Sequence, residues 1–193
     1  GAAAAASGSA TLTAVGYNAG NDSTTAILST YIGYTTGQMS TGSRNTYVGA
    51  TIVDQSSLGT ATAQHNTIVG ADSARYLTSG GYNSFLGTAI AENATTAGFN
   101  IAAGTTSLNG LTTGSYNIAL GYGAGDGITT NNNVVAIGYR AGRKSGAESV
   151  WVGTNAGGET TGTISTSSSV GIGYDALVNA TSYGNVVVGA SAG

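Results

Sequence analysis

The sequence predicts an all-β protein: a parallel β-solenoid (β-roll) of about 11 coils, each of about 17 residues. A short apolar run closed by glycine occurs eleven times, at Gly16, Gly33, Gly49, Gly70, Gly87, Gly104, Gly121, Gly138, Gly153, Gly173 and Gly189. Five of the ten spacings between these anchor glycines are 17 residues and the rest range from 15 to 21, so insertions fall between the motifs and leave them intact. All 13 charged residues lie outside the window from four residues before each anchor glycine to one residue after it. A unit this short cannot be a helical hairpin repeat, which takes about 33 residues or more. The 33 glycines also oppose helix.

Each part of the unit has a reason. Four residues before the anchor glycine stand Asn45, Asn66, Asn83, Asn100, Asn117 and Asn185, or Ser29, Ser149 and Ser169; Leu12 and Val134 are the exceptions. Asn and Ser bond to nearby backbone and tolerate turns, so they mark the corner before a strand, and stacked Asn can form a hydrogen-bonded ladder. The next three residues are mostly β-branched, aliphatic or aromatic and read as a short strand.

Side chains alternate along a strand, so the residue just before the glycine shares a face with the one three before it. The first series runs from Val15 and Ile32 to Val188; the second opens Thr13, Thr30, Thr46, Thr67, Ser84 and continues Ile101 to Val186. These two series are assigned to the coil interior, which predicts a weaker core in the first five coils. The residue between them then points outward: Ala14, Tyr31, Tyr47, Ile68, Phe85, Ala102, Ala119, Ala136, Trp151, Gly171 and Val187. None is charged, whereas a strand facing water alternates apolar with polar. This stripe of some 50 Å must meet a partner, and Tyr31, Tyr47, Ile68, Phe85, Trp151 and Val187 are the expected oligomer interface.

After the glycine come Tyr17, Tyr34, Tyr122, Tyr139 and Tyr174, then a small residue and often a second glycine, such as Gly20, Gly37 or Gly142, that suits a sharp corner. The Thr/Ser/Asn/Gly-rich arcs between motifs, for example 21–25 and 129–133, are surface segments.

Composition excludes several classes. Without proline or cysteine the chain is neither collagen nor a disulfide scaffold, and 40% hydrophobic residues in register argue against a disordered chain. The net charge is −3 and the only cations are Arg44, Arg75, Arg140, Arg143 and Lys144, so no nucleic-acid partner is expected. Arg140, Arg143 and Lys144 read as a solvated loop. No apolar stretch approaches the roughly 18 residues of a membrane span. Residues 1–11 are expected to be a flexible Ala/Gly/Ser-rich segment without the basic flank of a signal peptide, ahead of the repeat domain at 12–193.

Asn133-Val-Val-Ala-Ile-Gly-Tyr139, Ser149-Val-Trp-Val-Gly153, Ser169-Val-Gly-Ile-Gly-Tyr174 and Asn185-Val-Val-Val-Gly189 resemble the repeat of trimeric autotransporter adhesin heads. Asn117-Ile-Ala-Leu-Gly-Tyr-Gly-Ala-Gly125 is even more similar to repeats of bacteriophage tail-fibre proteins. The resemblance covers the chain from about residue 12 onward, and the first five coils match it least. It implies a parallel β-roll assembled as a homotrimer around an apolar centre. The unit of about 17 residues is longer than the adhesin coil, and no coiled-coil stalk or membrane anchor is present in the sequence.

No catalytic, metal or cofactor chemistry is expected. His65 has no second His or Cys beside it and reads as a solvated corner residue. Asp22, Asp54, Asp72, Glu92, Asp126, Glu148, Glu159 and Asp175 are scattered about one per coil, without the facing pair that glycoside hydrolysis needs. The calcium-binding nonapeptide of other β-rolls requires periodic Asp, which is missing. Gly121-Tyr-Gly-Ala-Gly-Asp126 is ordinary repeat chemistry rather than a nucleotide loop, and Asn21, Asn93 and Asn179 open glycosylation-type triplets expected in so Asn/Thr-rich a chain.

The leading functional expectation is a structural and adhesive fibre segment of a phage tail or cell-surface appendage, extracellular or on a virion. Its expected partners are itself, other fibre proteins and a host surface glycan or protein. Tyr17, Tyr34, Tyr122, Tyr139 and Tyr174 are the receptor-binding candidates, because aromatic faces stack on sugars, although tyrosines filling coil corners are the simpler role for most of them. One alternative is a subunit polymerising end to end into a filament, since the sequence stops just after a motif with no polar cap. A second is an ice-binding solenoid built on Thr pairs such as 95–96, 112–113 and 129–130, opposed by a drift of their offset from the anchor glycine.

Overall fold

The structure is a computed structural model that describes residues 11–54, 59–158, 167–178 and 183–193. Nearly all of the expected flexible N-terminal segment, the Thr160–Thr161 pair and the triplet starting at Asn179 lie outside these residues.

Eleven strands form one parallel sheet whose order is the order of the chain. They are β1 (Leu12–Val15), β2 (Ser29–Tyr34), β3 (Thr46–Ala50), β4 (Thr67–Ala71), β5 (Ser84–Thr88), β6 (Ile101–Ala103), β7 (Ile118–Leu120), β8 (Val135–Ile137), β9 (Val150–Val152), β10 (Val170–Ile172) and β11 (Val186–Val188). No helix occurs among the described residues. The motif register is the pairing register: Thr30 pairs with Thr46, Thr46 with Thr67 and Thr67 with Ser84, and likewise Tyr31 with Tyr47, Tyr47 with Ile68 and Ile68 with Phe85. The chain is a parallel β-solenoid.

Three left-handed residues turn each coil. They lie two and four residues after the anchor glycine, as at Asn18 (φ 52°) and Gly20 (φ 62°), and five residues before it, as at Asn133 (φ 59°). The anchor glycines themselves have φ between 124° and 143°, a region that side chains rarely enter. A Cβ on Gly49 would also overlap the carbonyl oxygen of Gly70 in the next coil, so glycine is required there twice over.

The Asn corner forms the expected ladder. Oδ1 of Asn66 accepts the backbone N–H of Asn83 at 3.0 Å and its side-chain amide at 3.0 Å, and Asn83 Oδ1 does the same for Asn100 at 3.0 and 3.1 Å. Each Nδ2 also donates to a carbonyl of the next coil, Asn83 to Ala97 at 2.9 Å and Asn100 to Gly114 at 3.0 Å. Asn45, Asn66, Asn83, Asn100 and Asn117 are buried, and their polar atoms are matched by neighbours of the same kind. The ladder ends where Val134 interrupts the series, with its N–H donating to Asn117 Oδ1 at 3.0 Å.

The two faces of the strand are the reverse of the sequence expectation. Tyr31, Tyr47, Ile68, Phe85, Ala102, Ala119, Ala136 and Trp151 are buried inside the solenoid, Gly171 is buried with them, and Val187 packs partly buried against that core. The series given to the interior faces outward: Val15, Ile32, Leu86, Ile101, Ile137, Ile172, Val186 and Val188 are all exposed. β2 to β5 therefore put Tyr31, Tyr47, Ile68 and Phe85 into the core instead of the expected hydroxyl lining.

Alternation along a strand fixes that neighbours point opposite ways, not which way is in. A solenoid interior must also be filled to constant volume from both walls. The inner series has that signature. Tyr31 sits over Gly37, whose Cβ would lie 2.8 Å from the ring, whereas the coil of Ala102 is filled by Leu108 and Leu111.

Candidate functional site

The outward face of the sheet is two adjacent columns, one of the residue before each anchor glycine and one of the residue three before. From β6 to β11 both are aliphatic, Ile101 and Ala103 through Val186 and Val188, while β1 to β5 pair a hydroxyl with an aliphatic residue, as in Ser84 and Leu86. No charge lies on either column. Leu86 is 61% exposed and Val188 70%. The continuous apolar stripe expected from the sequence is present, but composed of these residues. Tyr31, Tyr47, Ile68, Phe85 and Trp151 are enclosed within the single chain, so they are core residues and not an interface between chains.

The five tyrosines after the anchor glycine all project to solvent. Tyr17, Tyr34, Tyr122, Tyr139 and Tyr174 are exposed, and none fills a coil corner. Tyr17 stacks on Tyr34 with ring centroids 5.3 Å apart, Tyr122 on Tyr139 at 5.5 Å, and the Arg140 guanidinium lies 5.3 Å from the Tyr139 centroid. The column is interrupted by Ala50, Ala71, Thr88 and Thr105, so it consists of separate short stacks.

A second aromatic column was missed in the sequence. His65, Tyr82, Phe99 and Tyr116 each lie five residues before an anchor glycine, and their rings stack in sequence at 4.5, 4.8 and 4.9 Å with interplanar angles of 5°, 5° and 9°. Aligning the units one position further upstream exposes the signal, because these residues are separated by 17 each time. His65 is not a solvated corner but the first ring of this stack. Arg44 Nη1 lies 3.4 Å from His65 Nε2, and His65 Nδ1 is buried without a hydrogen-bond partner.

The stack is one wall of an open groove of about 370 Å³. Thr62, Ser79 and Thr96, each three residues before a ring of the stack, also line it, with Gly80, Gly81 and Gly98 between the two columns and Gln64 and Ser115 adding polar groups. No carboxylate, lysine or arginine lines it.

The Thr pairs behave differently from the expected drift. Thr78, Thr95, Thr112 and Thr129 fall in register, the N–H of each of the first three donating to the carbonyl of the next at 2.9, 2.8 and 2.9 Å. Thr78, Thr95 and Thr112 also donate their hydroxyls to those carbonyls, at 3.0, 3.2 and 3.1 Å. Those hydroxyls are committed to holding coils together. The neighbouring residues Ser79, Thr96, Thr113 and Thr130 form an outward hydroxyl column.

Arg143 Nε bonds Asp126 Oδ1 at 3.2 Å, so part of the basic patch is engaged across coils. Burial raises the Asp126 carboxyl above its usual range more than Arg143 lowers it, and a partly exposed pair of this kind contributes little stability. Among the described residues no three His, Cys, Asp or Glu side chains could hold a metal ion, and no helix is long and apolar enough to cross a membrane.

Comparison with protein families, curated proteins and solved structures finds no match. The functional reading therefore rests on the geometry above and on the repeat motif.

Proposed function

We propose that this chain is a structural and adhesive fibre segment, part of a phage tail fibre or cell-surface adhesin, whose outward sheet face packs against sister chains in a homotrimer. The observation that carries this reading is the uncharged, largely apolar double column running across all eleven strands on the outside of the solenoid. Apolar patches of this length on a monomer mark association surfaces. A parallel sheet is ordinarily covered on both faces, and here only the inner face is covered by the chain itself.

The mechanism is mechanical. Backbone ladders and the Asn column hold successive coils at about 4.8 Å, giving a stiff rod. Burying the stripe among sister chains would leave the arcs, with their exposed rings and hydroxyls, on the outside to meet a surface. The repeat's resemblance to adhesin heads and tail fibres points the same way.

Light scattering of the intact chain tests the assembly. A discrete mass three times 18.7 kDa is expected, and Leu86→Lys with Ile137→Lys should reduce it to that of one chain without loss of β-structure. A single-chain mass at high concentration would overturn the reading, and a mass that keeps growing with concentration would replace it with end-to-end polymerisation.

A further inference from the structure

The residue five before each anchor glycine has a left-handed backbone in every coil from Leu28 to Gly184. Asn133 and Gly184 take this conformation at low cost, but bulky aromatic residues do not. His65, Tyr82, Phe99 and Tyr116 hold it at φ of 59–61° in four successive coils. Core packing does not explain their selection, because Tyr82, Phe99 and Tyr116 are 54%, 48% and 58% exposed.

We infer that the groove beside this ladder binds a neutral, extended β-1,4-linked polysaccharide lying along the solenoid axis. The inference deepens the attachment reading above and rests on it for its setting. Four features point to that ligand class. The rings cover one another's faces, so they turn their electropositive edges and the Tyr82 and Tyr116 hydroxyls sideways, a surface that suits uncharged, oxygen-rich partners. Thr62, Ser79 and Thr96, which line the same groove, supply hydroxyls that both donate and accept, as sugar hydroxyls require.

The absence of any carboxylate, lysine or arginine from the lining disfavours an ionic ligand. Finally, the ring and hydroxyl columns repeat once per coil. An extended β-1,4 chain advances by about one coil spacing per sugar and turns each sugar over relative to the last, so it meets the same contacts at every second coil, whereas a coiled α-1,4 chain keeps no such register with a straight groove. The volume of about 370 Å³ lies within the usual range for small-molecule sites, about 300–1,000 Å³.

Calorimetric titration of the full chain with cellohexaose, and with maltohexaose as the coiled control, tests this. Saturable binding of cellohexaose alone is expected, weakened about tenfold or more by Tyr82→Asn combined with Phe99→Asn. Asn occupies the same corner at Asn133, so these substitutions suit the backbone. Thr96→Val, in the hydroxyl column, should weaken binding independently. Absence of cellohexaose binding, equal binding of maltohexaose, or undiminished binding by the folded variants would each overturn the inference. Light scattering on the same samples separates the two readings: a trimer that ignores cellohexaose fails only this one, and a single chain that binds it fails only the trimer.

Discussion

Gly171 in β10 lies directly beside Trp151 in β9 in the parallel ladder, and a Cβ at 171 would stand 2.7 Å from the indole ring. The largest side chain in the core is thus accommodated by having none on the neighbouring rung. Below it in the ladder is Ala136, and Gly142 also clears the ring, where a Cβ would come within 2.6 Å. The indole N–H donates to Ser145 Oγ at 2.6 Å, and that hydroxyl passes the bond to the Gly146 carbonyl at 2.7 Å.

Gly171→Ala should therefore destabilise the solenoid by about 2 to 3 kcal/mol, the cost of overpacking a filled core. Trp151→Ala leaves a cavity and should cost about 3 to 5 kcal/mol. Chemical denaturation followed by circular dichroism measures both. The double variant should lose less than the sum, because the two residues share one volume.

Asn83→Ala removes an oxygen that accepts two N–H groups and a side-chain amide that reaches Ala97. The Asn100 backbone N–H would then be buried without a partner, while its side-chain amide keeps only the Gly114 carbonyl, at a cost of about 3 kcal/mol. Hydrogen exchange should show the loss at the Asn100 backbone amide. An unchanged midpoint would mean the ladder contributes no net stability.

Gly70→Ala confronts both a φ of 143° and overlap with the Gly87 carbonyl. It should cost more than about 4 kcal/mol, in the exceptional range for one substitution. Alanine at Gly123, where the nearest atom to a Cβ is 3.4 Å away, should be far milder despite its φ of 61°. Comparing the two by thermal denaturation separates backbone strain from collision.

Tyr47 is wholly buried and stacked on Tyr31 at 5.1 Å, and its hydroxyl has no hydrogen-bond partner. Tyr47→Phe should thus be neutral or stabilising by about 1 kcal/mol. Tyr31→Phe should cost about 1 kcal/mol, because it loses a bond to Ser40 of 3.2 Å.

Burial, reinforced by repulsion from Tyr31, pushes the Tyr47 phenol well above its ordinary value, and burial also raises Tyr31. The unfolded chain then releases these protons near pH 10 while the folded chain keeps them, so stability falls as pH rises past about 10. Denaturation midpoints at increasing alkaline pH should show this decline, and Tyr47→Phe should reduce it. A flat profile in the parent protein would refute the burial-driven shift.

Local chemistry was enough to read the repeat, the strand positions, the Asn corner and the need for glycine at its anchor. Each of these depends on what one residue's backbone can do or on what stacks above it in the next copy. The absence of charge from the strand window likewise announced an apolar outer stripe before any coordinates. Which of two apolar series forms the core was not decidable in this way. A strand's alternation is symmetric, and only the direction in which the corners bend the chain chooses the inner face.

Tertiary structure made that choice, placing Tyr31, Tyr47 and Trp151 inside, with glycines against Tyr31 and Trp151 that leave them room, and turning Val15, Leu86 and Val188 out. It also brought His65, Tyr82, Phe99 and Tyr116 into one stack, a relationship between coils that exists only once successive corners are superimposed.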